Sequence, residues 1–223
     1  MYLEKNLQMT KSRQQHRLEN PKETIINKTK DLIQMKSYNS VTFDNIANEL
    51  SIKKPSIIYH FKSKDELGLE VIKTYRKQIQ DEIAILNKYS EDPIVKLKNY
   101  FRFFANVHRK SKGMCPAGVM SAEFNSLTLE IQTELKGFFK ENLDWLIDVL
   151  EEGKSKDLIK FPGNAKERAF LIEGAIEGGL LFSRMEQNSE ILWNIMKQLK
   201  LSLEITEEWT ITPKDKSGNQ III

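Results

Sequence analysis

Residues 42–67 read TFDNIANELSIKKPSIIYHFKSKDEL, and their spacing predicts two short helices joined by a tight turn. Thr42 is placed to cap the first helix, because its hydroxyl can accept a hydrogen bond from the first turn. The apolar residues of that helix recur at positions i, i+3, i+4 and i+7: Phe43, Ile46, Ala47 and Leu50. Pro55 lies in the first turn of the second helix, where its missing N–H costs nothing. A pair of helices of this kind can present its second member to the major groove of DNA.

The exposed side of the second helix is rich in hydrogen-bond donors. Ile57 and Phe61 fall on its inward side. The outward positions carry polar side chains: Lys54, Ser56, Tyr59 and His60. Such side chains suit the phosphates and base edges of duplex DNA. Short helix pairs are common in helical proteins, so the interpretation as a DNA-binding element depends on these donors.

The same residues resemble the DNA-binding domain of the TetR family of bacterial transcription regulators. The resemblance covers about residues 22–72, and three runs at the family's spacing carry it: Ile46-Ala47, Tyr59-His60-Phe61 and Lys64-Asp65-Glu66-Leu67. It implies that residues 54–61 form the recognition helix. It also implies a homodimer that binds an inverted repeat in double-stranded operator DNA.

The resemblance assigns expected roles to single residues. Base edges would be contacted by four residues of the second helix: Lys54, Pro55, Ser56 and Tyr59. Phosphates would be held by Thr42, His60 and Lys64. A lysine at the start of the following helix opposes the helix dipole, at a cost of about 0.3–1 kcal/mol unless an anion is near. Two alternatives stay open: Thr42 as a helix cap alone, and Tyr59 as a half-buried ring under the first helix.

Three positions depart from the family's pattern. Ile58 replaces the usual tyrosine, so the phosphate contact of that hydroxyl is lost. Lys53 replaces the small hydroxyl residue that commonly caps the recognition helix, which leaves the cap missing or supplied by Ser51. Ser51 itself replaces the usual turn glycine. Lys53 is also a candidate DNA-binding residue, because an added lysine can restore a backbone contact and release about one counterion.

The rest of the chain predicts an all-α protein. Apolar residues recur at helical spacing almost throughout, and no stretch alternates with period two long enough to indicate a sheet. We expect an N-terminal three-helix helix-turn-helix domain and a larger helical domain for effector binding and dimerisation. The expected units are a flexible polar arm at 1–20, the DNA-binding domain at 21–68, the effector-binding and dimerisation domain at 69–205, and a C-terminal tail at 206–223.

Composition and charge narrow the class of protein. The 223 residues are 29% charged and 40% hydrophobic, which is typical of globular proteins. Residues 1–80 carry 15 basic and 9 acidic side chains, a balance of +6, whereas residues 81–223 carry 19 and 22, a balance of −3. The basic end is the nucleic-acid candidate, although a solvated lysine-rich face has the same composition. No apolar run approaches the ~20 residues of a membrane span or forms a signal peptide, so we expect a cytoplasmic protein without membrane contact.

An apolar cavity in the larger domain is the candidate site for a small-molecule effector of unknown identity. Its expected walls are Phe103, Phe104, Met114, Met120, Phe124 and Trp145, although core packing explains the same residues. Three polar side chains complete the candidate pocket: His108, Cys115 and Glu123. Each has a structural alternative, respectively a core histidine, a small buried hydrophobe, and a carboxylate that caps a helix or pairs with a lysine. The run GMCPAGVMSAEFNSL at 113–127 resembles a segment between pocket-lining helices in one branch of the family.

Residues near the C-terminus predict a dimer interface formed by two helices of each subunit. Gly174, Gly178 and Gly179 lie in a helix interior, where glycine costs ~1 kcal/mol, so a close helix contact is expected there. The remaining interface candidates are Phe182, Leu192, Met196 and Leu199. A seam between helices of the same chain is the competing explanation.

An enzyme is the alternative class of protein. His108, Glu123 and Cys115 are capable of acid–base or nucleophilic chemistry. The sequence has no phosphate-binding glycine loop, no HExxH and no nucleophile motif, and its single cysteine excludes a zinc site built from several thiolates. We therefore predict a regulator without catalytic residues, metal or cofactor: a repressor released by a small molecule. The sequence leaves open a family member that activates genes.

Overall fold

Nine α-helices form nearly all the regular structure of the computed structural model, which describes residues 20–111, 114–212 and 221–222. The helices are α1 (Pro21–Met35), α2 (Phe43–Leu50), α3 (Lys54–His60), α4 (Lys64–Tyr89), α5 (Pro93–Ser111), α6 (Pro116–Ala122), α7 (Leu129–Ser155), α8 (Ala165–Met185) and α9 (Glu190–Leu201), with a 3-10 turn at Phe124–Ser126. The prediction of an all-α fold is confirmed. Its one departure is a short antiparallel pair of β1 (Thr210–Thr212) with β2 (Ile221–Ile222). The expected polar arm lies, except for Asn20, outside the described residues.

The first three helices pack around a small apolar core together with the start of α4. Asn20 caps α1 by accepting a hydrogen bond from the Glu23 N–H at 3.3 Å, and Pro21 occupies the first turn. One fully buried isoleucine or leucine comes from each of the four helices: Ile33, Ile46, Ile57 and Leu67. This core sets the angle at which α3 leaves the body of the domain.

The turn between α2 and α3 carries the consequences of the two unusual residues in the sequence. Ser51 adopts a left-handed conformation with φ 53°, the region that favours glycine. Lys53 stands at the N-cap of α3, and no side chain supplies a cap hydrogen bond there. The sequence left this cap either missing or supplied by Ser51, and in the structure the cap is missing. The turn is held by its backbone, since the Ile52 N–H donates to the Ala47 carbonyl at 3.0 Å.

Helix α4 belongs to both parts of the molecule, because its 26 residues run from the helix-turn-helix into the larger domain. Tyr75 and Ile79 are buried on its inner side. Arg76 ties it to α7 by ion pairs with Glu134, at 2.7 Å, and with Glu141. The pairing with Glu141 raises the pKa of Arg76 further above its usual range. Helix α4 therefore connects α7 of the larger domain to the helix-turn-helix.

Helices α8 and α9 form a tight pair within one chain. Gly179 faces the side chains of Leu192 and Ile195, and a Cβ at this position would lie 2.9 Å from Leu192 Cδ1. Leu192 and Met196 are fully buried. The Ser183 hydroxyl accepts a hydrogen bond from the Leu192 N–H at 2.9 Å and closes the turn between the helices. The competing explanation, a seam within the chain, therefore applies to this part of the pair.

The packed body extends past residue 205, where the tail was expected to begin. Trp209 is fully buried, and its ring lies 5.5 Å from that of Phe101 on α5. The Lys200 ammonium donates to the Glu207 carbonyl at 2.8 Å. An isolated tryptophan after a helix has no periodicity to detect, so sequence pattern alone gave no sign that it joins the core.

Candidate DNA-binding surface and effector site

The outward side of α3 is a protruding polar surface, here called the recognition face. Ile57 and the following Phe61 are fully buried, so they anchor the helix by its opposite side. Tyr59 is 85% exposed, which rules out the half-buried ring considered for it. Six of the eight predicted DNA-binding residues are exposed: Thr42, Lys53, Lys54, Pro55, Ser56 and Tyr59. The other two, His60 and Lys64, are half-buried.

Thr42 caps α2 and keeps a free donor. Its hydroxyl oxygen accepts from the Asn45 N–H at 3.2 Å, and its own N–H donates to the Asn45 side chain at 3.1 Å. Because an accepting hydroxyl still carries its proton, the Thr42 O–H can donate to a phosphate while it caps the helix. The two expected roles of Thr42 are compatible in this geometry.

Lys54 on the recognition face and Lys64 at the start of α4 differ in their surroundings. Lys54 forms an exposed ion pair with Asp44 at 2.9 Å, which is worth little in water and yields readily to a stronger anion. Lys64 lies at the start of α4, where its ammonium donates to the Asn39 carbonyl at 3.0 Å and sits 4.5 Å from the Tyr38 ring centre. Partial burial lowers the pKa of Lys64, and the nearby Glu123 carboxylate opposes that shift.

The segment 114–126 joins the larger domain to the DNA-binding domain. Glu123 accepts a hydrogen bond from the Asn39 N–H at 3.0 Å, and Ser126 accepts one from the Asn39 side chain at 3.0 Å. The Gln34 side chain donates to the Met114 carbonyl at 2.9 Å. Glu123 and Met114, both expected in the effector pocket, therefore lie at the junction between the domains. These hydrogen bonds hold the segment that contains α6 against the end of α1 and the loop that precedes α2.

Most other expected pocket residues lie in the interior of the larger domain. Phe104, Cys115 and Met120 are fully buried or nearly so, as are His108 and Trp145. Phe103 is half-buried beside Phe104, with ring centres 5.3 Å apart. Phe124 lies elsewhere, in an outer groove of about 450 Å³ together with Phe139, Phe170 and Lys136. The structure thus separates the predicted pocket into a core group, a junction group and a surface groove.

Five polar or aromatic residues of the interior were missed from the sequence, and they lie among the core group: Tyr75, Tyr100, Asn142, Glu173 and Glu177. Tyr100 lies 5.1 Å from Phe104 and 5.4 Å from Trp145 between ring centres. Its hydroxyl donates to the Glu173 carboxylate. The Tyr75 hydroxyl is 3.6 Å from the Cys115 sulfur. We call this group of side chains, together with Cys115, the acid chamber.

A sequence signal for the acid chamber existed. Glu173 and Glu177 stand four residues apart in α8, within the run of buried residues that includes Ile172, Ile176 and Leu180. Like charges at this spacing destabilise an exposed helix, and an acidic pair inside an apolar stripe is rarer still. The neighbouring glycines of α8 favour helix packing as the explanation of the same segment, and they mask this signal.

The outer face of α8 is apolar and open. Leu171, Phe182 and Met185 are all more than half exposed, and Phe182 stands at 52%. A Cβ added to Gly174 or Gly178 would meet nothing within 4 Å. By contrast, four residues expected in the dimer interface are buried within one chain: Gly179, Leu192, Met196 and Leu199. Of these, Gly179 on α8 faces Leu192 on α9. An interface on this face can therefore use Gly174, Gly178 and Phe182 from the predicted set.

The chain belongs to the TetR family of bacterial regulatory proteins. The family's N-terminal model matches residues 25–71. Residues 93–198 match a second model, the C-terminal domain of LmrA/YxaF-like transcriptional regulators. These two matches fall on the helix-turn-helix and on the helices that surround the acid chamber, so the protein is a DNA-binding transcription regulator with a helical companion domain.

Individual relatives support the same assignment. An uncharacterised HTH-type regulator of Lactococcus lactis subsp. lactis is 27% identical over 197 residues, 85% of this chain and 96% of that protein. The HTH-type transcriptional repressor DhaR of Mycobacterium sp. strain GP1 is 24% identical over 169 residues, 75% of this chain and 84% of that protein. A TetR regulator structure from Legionella pneumophila is 29% identical with a TM-score of 0.75, and the match covers 84% of this chain and 99% of that one.

Two further features bear on partners. Within the described ranges, no helix combines the length and the apolar character that a membrane span requires. Over the same residues, no three His, Cys, Asp or Glu side chains converge as a metal site would require.

Proposed function

We propose that the protein is a cytoplasmic, homodimeric repressor that binds a palindromic operator through the recognition face and leaves it when a small molecule binds. The observation that carries this proposal is the recognition face itself. Its donor side chains are exposed while Ile57 and Phe61 anchor the helix, so α3 is a rigid rod with polar groups on its free side. Direct reading of bases in the major groove requires this arrangement.

The outer face of α8 supports dimerisation. Its exposed apolar side chains need a partner, and the open positions at Gly174 and Gly178 allow a second helix to approach closely. A two-fold dimer presents two copies of α3, which matches the two half-sites of a palindrome. Repression is the function named for the relative DhaR, and it is proposed here for this chain.

Release by an effector is supported by the junction at residues 114–126. The beginning of this segment borders the acid chamber through Cys115, and its end contacts the helix-turn-helix through Glu123. A ligand that favours another position of α6 shifts the population toward dimers whose recognition helices are wrongly spaced. Half-site spacing is then the quantity that couples ligand to DNA.

Selection of bound DNA from a random duplex pool tests the proposal and identifies the operator in the same experiment. We expect enrichment of an inverted repeat, with half-sites about one helical turn apart, by the full-length protein. The variant Ser56→Asp places a negative charge on the recognition face and should enrich nothing. Ser155→Asp, which changes an exposed serine at the end of α7, is the matched control and should recover the same repeat. Failure of the wild-type protein to enrich any sequence would contradict the proposal.

A further inference from the structure

Buried polar atoms without hydrogen-bond partners are concentrated at the acid chamber. Four such atoms belong to three of its residues: Asn142 Nδ2, Glu173 Oε1, and both carboxylate oxygens of Glu177. The side chains of a native core normally satisfy such atoms, so each exception calls for an explanation. Their occurrence together, on two facing helices, points to a ligand rather than to separate defects in packing.

The chamber is formed by residues from five parts of the chain. Tyr75 comes from α4, Tyr100 from α5, Cys115 from the start of α6, Asn142 from α7, and the two glutamates from α8. Asn142 lies on α7 between Phe138 and Trp145. The ring centre of Phe138 is 5.4 Å from that of Tyr75, and the ring of Trp145 packs against that of Tyr100. The Glu177 carboxylate rests on Gly118 of α6, where a Cβ would overlap it, and the weakly donating Cys115 thiol is its polar neighbour.

The chamber holds acidic groups without a compensating cation. Glu173 is only 6% exposed, and although Glu177 is partly exposed as a residue, both of its oxygens are shielded from solvent. Among the described residues, no lysine or arginine pairs with either carboxylate. A buried carboxylate without a partner takes up a proton instead of staying charged. Burial accordingly raises the pKa of Glu173, and raises that of Glu177 to about 8.

We propose that the acid chamber binds an organic cation, an amine or a quaternary ammonium group on a small apolar body, and that this cation is the effector of the repressor. The two glutamates supply the charge, and the rings of Tyr75, Tyr100 and Trp145 supply faces on which a weakly hydrated cation is stabilised. Phe104 and Phe138 provide apolar surface for the rest of the molecule. The effector role rests on the proposed function, whereas the binding site does not.

The position of the chamber explains how occupancy would reach the DNA-binding domain. Glu177 contacts Gly118 in the middle of α6, and the C-terminal end of α6 is held to Asn39 by Glu123. A cation that draws the Glu177 carboxylate toward itself removes the group that packs against α6. The helix then loses its support on one side while it stays bonded to the loop before α2 on the other.

Calorimetric titration of the full-length protein with a matched set of probes tests the site. The probes are benzyltrimethylammonium, its neutral carbon isostere neopentylbenzene, and the anion 4-tert-butylbenzoate. We expect saturable binding of the cation, binding of the isostere at least about tenfold weaker, and no binding of the anion. Equal affinity for cation and isostere would overturn the proposal, as would no saturable binding of the cation at millimolar concentration.

Two variants locate the charge that is responsible. Glu173→Gln and Glu177→Gln keep the size of the side chain, and each should lower cation affinity at least about tenfold while it changes isostere affinity less than about twofold. Glu186→Gln, at the exposed end of α8, is the control and should bind as wild type. Unchanged cation affinity in both chamber variants would overturn the proposal.

Proton release provides a readout that needs no variant. Because burial raises the pKa of Glu177 to about 8, we expect binding of the cation to its ionised carboxylate to release up to one proton at pH 7. Titration in two buffers of different ionisation enthalpy measures this number, and a value of zero would contradict contact with Glu177.

Operator release then separates the two levels of the inference. Cation binding that displaces the selected DNA supports the effector role. Cation binding without displacement contradicts the effector role and leaves the binding site intact. Loss of DNA selection with retained cation binding counts against the proposed function alone.

Discussion

The recognition face and the acid chamber both contain polar groups without protein partners, and they differ in their access to water. On α3, exposed side chains such as Tyr59 and Lys53 are hydrated, so the free protein is stable while they await DNA. In the chamber, the carboxylates of Glu173 and Glu177 are cut off from water, and the free protein meets their cost by protonation.

This difference predicts that substitutions at the two sites change different quantities. Replacement of an exposed side chain should weaken DNA binding and leave the free energy of unfolding unchanged. The reason is that water hydrates this side chain in the folded and in the unfolded protein alike. Replacement of a buried carboxyl group should alter stability even without any ligand, because protonation of that group is coupled to folding.

The largest effect is expected at the apolar counterpart of the recognition face, the outer side of α8. Phe182→Glu places a charge where a second subunit is proposed to pack, and Phe182 is already exposed within one chain, so the subunit should fold normally. Loss of the dimer removes the second half-site contact, and operator affinity should fall by about 100-fold or more. Sedimentation velocity and fluorescence anisotropy measure the two consequences. Leu129→Glu, on the exposed start of α7, is the control; a variant that stays dimeric would place the interface elsewhere.

The second prediction concerns the acid chamber and the dependence of the free energy of unfolding on pH. The pKa of Glu177 is raised from 4.5 to about 8, so its contribution is fully present below pH 4.5 and is lost as the pH rises through 8. The stability of wild type relative to Glu177→Gln should therefore fall by about 1.4 kcal/mol per pH unit across this window and level off above it. Urea unfolding at pH 5, 6, 7 and 8 measures the difference. Parallel curves for the two proteins would show that the carboxyl is solvated in the folded state.

Much of the fold follows from the sequence because the governing features are local. Helix periodicity, the proline at Pro55 and the cap at Thr42 depend on residues within one or two turns of each other. The exposure of Tyr59 follows likewise from its position opposite Ile57 on a short helix. The chemistry of these residues already favours a DNA-binding helix pair, and their spacing, which is that of the family, favours it further.

The sites of the larger domain depend on which helix packs on which, and a single sequence does not specify that. Leu192 and Met196 read equally well as an intersubunit or an intrachain surface, and only the pairing of α8 with α9 decides. The position of Glu123 after the apolar run of α6 predicts a pocket residue, yet its partner Asn39 lies 84 residues away in sequence. The acid chamber combines residues of five segments, so no local pattern displays it.

The third prediction returns to the exposed side. Tyr59→Ala should weaken operator binding by about 1–3 kcal/mol and leave the melting temperature unchanged, because the ring contacts little of the folded chain. Tyr59→Phe separates the hydroxyl from the ring, and retention of most of the affinity would indicate contact with a base face or a thymine methyl. Anisotropy titrations on the selected operator provide the measurement. Full affinity in Tyr59→Ala would remove this residue from the DNA contact.

The smallest effect is expected at Lys64. This side chain is intermediate between the hydrated groups of the recognition face and the buried groups of the acid chamber, because it is half-buried and already hydrogen-bonded to the protein. If its ammonium also holds a phosphate, Lys64→Ala should weaken binding to all DNA sequences alike and flatten the dependence of log affinity on log salt by about one unit. Titrations at four salt concentrations measure that slope.

Lys64→Ala also removes the hydrogen bond to the Asn39 carbonyl and the contact with the Tyr38 ring. A purely structural role would therefore lower the melting temperature while the salt slope stays unchanged. Lys62→Ala, at an exposed lysine two residues earlier, controls for the general loss of positive charge near the DNA. A flatter slope in Lys64→Ala than in Lys62→Ala would show that a half-buried lysine, fixed in place by a carbonyl and a ring, contacts the backbone more directly than a hydrated one.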